Sequence, residues 1–182
     1  MKFIRYFCLF LIFPICLLFT SCRLFNNNEH VNTADDSEKY GKNVLNQILN
    51  ALENNDRDKL IDLFSDKAKT TVTEDSIDAL FNFYKGTQYS VDYNYSVEVD
   101  IFEASEQYIF DECLAYVKTN EAAYWFEFLL CKNNNSEGIV SLVVSTEKSR
   151  ESSEYSDYII RVFDEAEYLN KDYFGVFIFC KE

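Results

Sequence analysis

Three acids interrupt otherwise apolar stretches of this chain: Asp111, Glu112 and Glu127. A carboxyl turned into such a stretch loses water, which disfavours its charged form and lifts its pKa toward the range a general base needs. Tyr93, Tyr95, Tyr116, Tyr124 and Trp125 lie in the same segments and could wall a pocket around it. The competing expectation is plainer: half the positions of a one-sided strand face water, so the acids are solvated and the rings finish a core. Other chemistries lack their residues. The only histidine, His30, sits in a polar stretch, so neither a Ser-His-Asp nor a Cys-His arrangement can be assembled in a folded domain. No nucleophile elbow, zinc-protease helix, P-loop or dinucleotide fingerprint occurs, and 4 glycines leave little from which to build a phosphate cradle. Neither a metal nor a cofactor is expected. There is no C-x-x-C pair, and Asp56-Arg57-Asp58 is not followed by the ligand series of a calcium loop.

One thiol is placed for modification. Leu17-Leu18-Phe19-Thr20-Ser21-Cys22 closes an apolar stretch, Phe7 to Phe19, that follows Lys2 and Arg5. Charged region, apolar region, then small residues is the layout of a secretory signal, and the stretch falls short of the ~20 residues of a spanning helix. The run resembles the lipobox of bacterial lipoproteins. The resemblance implies cutting between Ser21 and Cys22 and acylation of the Cys22 sulfur, with palmitate or a similar chain. Two acyl chains hold a protein at a bilayer stably where one is marginal. The expected organisation is a signal peptide over 1–21, a lipidated Cys22 with a polar tether to 37, and one domain over 38–182. That domain would stand on the outer side of the cell membrane.

With 31 Asp and Glu against 17 Lys and Arg, the chain carries a net charge of −14. Such a surface repels phosphate backbones, which excludes nucleic acid as a partner. The membrane, through the anchor, is the expected contact, with an envelope protein, a cell-wall component or a small amphipathic ligand as further partners. Cys113, Cys131 and Cys180 remain in the domain, an odd number. They read either as buried free thiols or as one disulfide whose pairing stays open.

Elements that would position these residues follow from periodicity. Tyr40, Val44, Ile48 and Leu52 recur every four residues and make an apolar helical stripe from about 37 to 53. Asp56 is placed to cap a second, short helix carrying Leu60, Ile61, Leu63 and Phe64. Thr73, then Glu74 and Asp75 in the first turn, opens a third with Ile77, Leu80, Phe81 and Tyr84. The period then changes to two. Every odd position from Tyr89 to Ile101 is apolar and every even one polar, which predicts a long strand with one covered face and one wet face. Runs at 107–118 and 122–132 read as a hairpin, Ile139–Ser145 as another strand, and Gly175–Cys180 as the last. The segment Tyr155 to Tyr168 reads as either helix or ordered loop. The fold class is α+β: three N-terminal helices packed on a curved antiparallel sheet of four to five strands.

The stretch ALENNDRDKLIDLFSDKA, Ala51 to Ala68, resembles the opening of nuclear-transport-factor-2-like domains. Together with IDALFNFYKG, GIVSLVV and FGVFIF, it resembles the bacterial lipoproteins of domain of unknown function 5104, over about residues 38–180. The resemblance implies a cone whose concave sheet face often encloses a pocket. In that superfamily an Asp or Glu inside the cone can remove a proton from carbon while a Tyr donates to the oxyanion. Asp111, Glu112 and Glu127 would be the acids here. The expected function is a membrane-anchored lipoprotein with a non-catalytic binding or interaction module. The alternative is a small-molecule pocket or an enzyme with an acid base inside the cone.

Overall fold

A computed structural model describes residues 33–103, 106–132, 137–164 and 168–180. The signal, Cys22 and His30 lie outside them. Helix α1, Thr33–Glu53, begins ahead of the expected start at 37–38, and Ser37 on it is buried. Its stripe holds: Leu45, Ile48, Leu49 and Leu52 are buried. Each such side chain contributes about 1.5–3 kcal/mol. Asn55, at φ 54°, turns the chain, and Asp56 accepts from Lys59 N at 3.0 Å to start α2, Arg57–Asp62. A four-residue helix follows that the periodicity did not predict: α3, Asp66–Lys69, N-capped by Ser65. Next comes α4, Glu74–Phe83, opened by a capping box between Thr73 and Ser76. Among the described residues four helices precede the sheet, where three were expected over 38–182. Among the described residues no helix is long and apolar enough to cross a membrane.

The sheet has the order β1 (Gln88–Glu103), β2 (Glu106–Thr119), β3 (Ala123–Cys131), β4 (Gly138–Ser145) and β5 (Gly175–Phe179). The expected all-antiparallel sheet is corrected at its last strand, because β5 pairs with β4 in parallel. A parallel neighbour requires a crossover. It is supplied by α5 (Glu147–Arg150), α6 (Ser153–Val162) and a 3-10 turn at Lys171–Tyr173. Helix, not loop, is thus the outcome for the start of the 155–168 segment.

Strand β1 overturns the expectation of one covered and one wet face. Its pairing passes from Tyr93↔Ala115 to Tyr95↔Leu114, so Asn94 is an extra residue in the ladder. Slipping by one residue sends every later side chain to the opposite face. Tyr93, ahead of the bulge, turns toward α1 as its apolar position predicts, packed so closely beneath Gly41 that an added Cβ there would lie 2.0 Å from the phenol oxygen. Beyond the bulge it is polar Glu98 that turns toward α1, hydrogen-bonded by Ser37, while Val97 is 44% exposed. The alternation in sequence is perfect; the faces it marks are exchanged midway.

Candidate functional site

Register alone separates the candidate acids. Asp111 lies opposite Glu98 and Leu130, and Glu127 is three residues from Leu130, so the two carboxyls leave opposite faces of the sheet. Asp111 faces α1 and is fully buried. Lys132, just past β3, donates to Asp111 Oδ1 at 3.2 Å, to Glu98 and, at 2.8 Å, to Ser37 Oγ. One ammonium thus serves two carboxylates. Burial pushes the Asp111 carboxyl above its ordinary value, against the charge and hydrogen bond of Lys132. Burial pulls Lys132 down, yet its bonds and charge pairing with Glu98 and Asp111 outweigh this and leave it raised. Asp111 Oδ2 is buried with no hydrogen-bond partner among the described residues. Nearby Tyr40 donates to Glu137 at 3.3 Å, and its phenol is pushed up to about 12 by burial and then by that carboxylate. The cluster ties α1 to two strands.

Glu127 belongs to the other face, under α5 and α6. Tyr155 of α6 donates to its carboxylate and Arg150 of α5 forms an ion pair with it at 3.2 Å. The guanidinium lies 4.1 Å from the Trp125 ring centroid, and Trp125 Nε1 donates to Glu147 at 2.6 Å. Tyr116 packs against Trp125 at 4.7 Å. Burial drives the Glu127 carboxyl up to about 7, against the pull of Arg150. A raised acid binds its proton more tightly folded than unfolded, so its contribution to stability is greatest at low pH. That contribution declines as pH rises from about 4.5 to about 7. The decline is on the order of 3 kcal/mol. Glu127→Gln should therefore match the wild type in urea at pH 4.5 and be the more stable of the two at pH 8. Parallel pH profiles for the two proteins would disprove it.

The remaining nominated residues do not converge. Glu112 is half-buried on the Glu127 side, opposite Leu129. Tyr93 is under α1, and the side chain of Tyr95 lies outside the described residues. Tyr124, on the α1 face, is a clamp: its hydroxyl donates to Phe83 O at 3.1 Å and accepts from Lys85 N at 2.9 Å. Tyr116 and Trp125 are on the reverse face. Cys113 and Cys131 are buried and Cys180 is exposed, and the three form no disulfide with one another. Tyr155 and Arg150, which complete the Glu127 cluster, were not nominated. Their segment reads as helix or loop from its charged sequence, and only the packing of α5 and α6 on the sheet brings them to Glu127.

Space is distributed the same way. A cavity inside the fold, between Ser65, Tyr108, Phe110, Val140 and Phe174, holds about 10 Å³. That is at most the room one water needs, and far below the ~300 Å³ at which ligand pockets begin. Among the described residues, open space of about 490 Å³ lies over the polar face of α1 at Glu38, Lys42 and Asn46, and a surface groove of about 570 Å³ lies between α6 and β5. Glu154, Asp157, Tyr158 and Arg161 line it from α6, spaced i, i+3, i+4, i+7 on one helix face. Residues Val176 to Phe179 of β5 line it opposite, and Tyr173 closes one end. Tyr158 packs on Phe177 at 4.7 Å and on Phe179 at 5.3 Å. The helical spacing was the available signal for this groove, within a stretch whose charge masked it.

The family model "Domain of unknown function (DUF5104)" matches residues 47–148, from the middle of α1 through α5. No curated protein matches the chain.

Proposed function

The chain belongs to the DUF5104 family, and from that premise we propose a membrane-anchored lipoprotein whose domain is a non-catalytic binding module on the outer side of the cell membrane. One observation carries the binding part: the described cavity of the interior holds about 10 Å³, while aromatic side chains line an open groove of about 570 Å³. A substrate would need room beside Asp111 or Glu127. Each instead meets packed protein partners, Lys132 at Asp111 and Tyr155 with Arg150 at Glu127, which occupy the acids in place of a substrate. The bulged, twisted sheet under four helices is compatible with a nuclear-transport-factor-2-like cone, here filled with side chains. The groove then takes the role that the cone interior plays in pocket proteins.

Anchoring rests on Cys22 after Thr20 and Ser21. Cys22→Ser should abolish incorporation of labelled fatty acid and leave the precursor uncut; labelling at the wild-type level would remove the anchor from the proposal. For the module, a photo-crosslinking residue at Phe177 should give discrete adducts on intact cells. The same residue at Ile160, which is 68% exposed on α6 outside the groove, should not. Equal labelling at both positions, or none, would defeat the interaction reading.

A further inference from the structure

Successive residues of a strand point to alternate faces, so a groove on one face touches every second residue. This groove touches Val176, Phe177, Ile178 and Phe179 in succession. The groove thus lies on the Phe177 and Phe179 face and reaches the backbone of β5, the terminal strand of the sheet. An edge strand presents backbone N–H and C=O groups to whatever extended chain lies alongside. Helix α6, which covers that face of the sheet, forms the second wall. Its Tyr158 hydroxyl is buried and has no hydrogen-bond partner among the described residues. Burial, then the neighbouring Tyr173, raises the Tyr158 phenol far above its ordinary range, so it stays a neutral donor. Its ring, packed on Phe177 and Phe179, gives the groove an apolar wall on which an apolar side chain can rest.

Charge selects the occupant. Glu154 and Asp157 are one helical turn apart on the groove wall, both exposed, with Arg161 one turn further on. The whole chain is at −14, so a second copy approaching this edge meets repulsion, whereas a cationic segment is drawn in. We propose that the α6–β5 groove takes an extended, basic segment of a partner protein as an added strand beside β5. Apolar side chains of that segment would pack on Tyr158, Phe177 and Phe179, and a lysine or arginine would meet Glu154 and Asp157. Strand addition draws affinity from main-chain hydrogen bonds and specificity from alternate side chains. This rests on the binding-module reading and names the class of its partner.

The test uses the full chain as its own cells process it, in neutral phosphatidylcholine nanodiscs. The probes are fluorescein-labelled octapeptides alternating lysine with valine and phenylalanine. One form is unmodified, two are N-methylated on either alternating set of amides, and one has glutamate for lysine. The unmodified peptide should bind saturably. Methylating one alternating set should weaken it at least tenfold and methylating the other should leave it within twofold, because only one set faces the sheet edge. The glutamate peptide should bind at least tenfold more weakly. Combined Glu154→Gln and Asp157→Asn should weaken the lysine peptide three- to tenfold, with unchanged circular dichroism reporting an intact fold. Equal effects of the two methylation patterns, equal binding of the glutamate peptide, or no binding at all would overturn the proposal. So would a dimer in sedimentation that Phe177→Asp dissolves, since the occupant would then be a second copy. The crosslinking at Phe177 is read separately: adducts there without peptide selectivity leave the module standing and remove only the basic strand.

Discussion

Lys132→Met should cost about 3–5 kcal/mol of stability at pH 8, since it strands a buried carboxylate whose partner is gone. The size follows from the two acids the ammonium serves. Asp111 is fully buried and Glu98 is 26% exposed by its side chain, so most of the penalty falls on Asp111. Asp111 Oδ2 has no partner to fall back on among the described residues. Without Lys132 the Asp111 carboxyl, already raised by burial, rises further. A raised acid stabilises at low pH and loses that contribution as pH climbs, so the deficit of Lys132→Met should shrink from pH 8 to pH 5 in urea titrations. Adding Asp111→Asn to Lys132→Met should recover most of the loss, because it removes the stranded charge while keeping the shape. Asp111→Asn alone should cost only about 1 kcal/mol, as Lys132 keeps Glu98 and Ser37. A Lys132→Met protein as stable as the wild type at pH 8 would show that the cluster contributes nothing.

How far the sequence carried can be seen in β1. Its period of two was legible and a strand formed over Gln88–Glu103, but the faces were not. Nothing in Tyr93-Asn94-Tyr95 distinguishes a regular residue from a bulged one, because the extra residue is fixed by pairing with β2 and not by its own side chain. From that one uncertainty came the wrong faces for Val97 and Glu98, both beyond the bulge. Helices were clearer where caps are local: Asp56 and Thr73 do what their positions suggested, since a cap bonds to a backbone two or three residues away. The start of α1 was placed late because Ser37 is held by Glu98 and Lys132, partners far away in sequence. Partnership across the sheet also decided the acids. Asp111 and Glu127 interrupt apolar runs in the sequence, and both are buried; that they stand back to back depends on register. The parallel return of β5 was illegible for a further reason, since FGVFIF reads the same in either direction of pairing, and the helical crossover was hidden in a charged stretch.

Gly138→Ala should be the most damaging single-carbon addition in the protein. Gly138 has φ +128°, which L side chains rarely adopt, and a Cβ there would lie 2.7 Å from Leu63 O, 2.8 Å from Ser65 N and 3.0 Å from the Phe64 carbonyl carbon. Those are backbone atoms, fixed by the structure that needs them. Ile139 N donates to Leu63 O at 2.8 Å, Ser65 N donates to Ile139 O at 2.9 Å, and Phe64 and Ile139 form a parallel bridge. Ser65 is also the cap of α3. Relieving the contact must pull β4 from the α2–α3 connection, exposing the buried Phe64 and Ile139. Strain at a positive φ costs about 1–3 kcal/mol and overpacking a further ~1–3, a large part of the ~5–15 that holds a typical domain. Gly175 separates the two terms. It has the same φ of +128°, but its Cβ would meet nothing nearer than Thr71 at 3.8 Å, so Gly175→Ala carries the strain without the clash. The urea midpoint of Gly138→Ala should therefore fall clearly below that of Gly175→Ala, which itself falls below the wild type. Amide exchange should locate the damage, with Ser65 and Ile139 losing protection together. If the two alanine proteins unfold at the same urea concentration, the tight seat of Gly138 against the α2–α3 connection has no energetic weight.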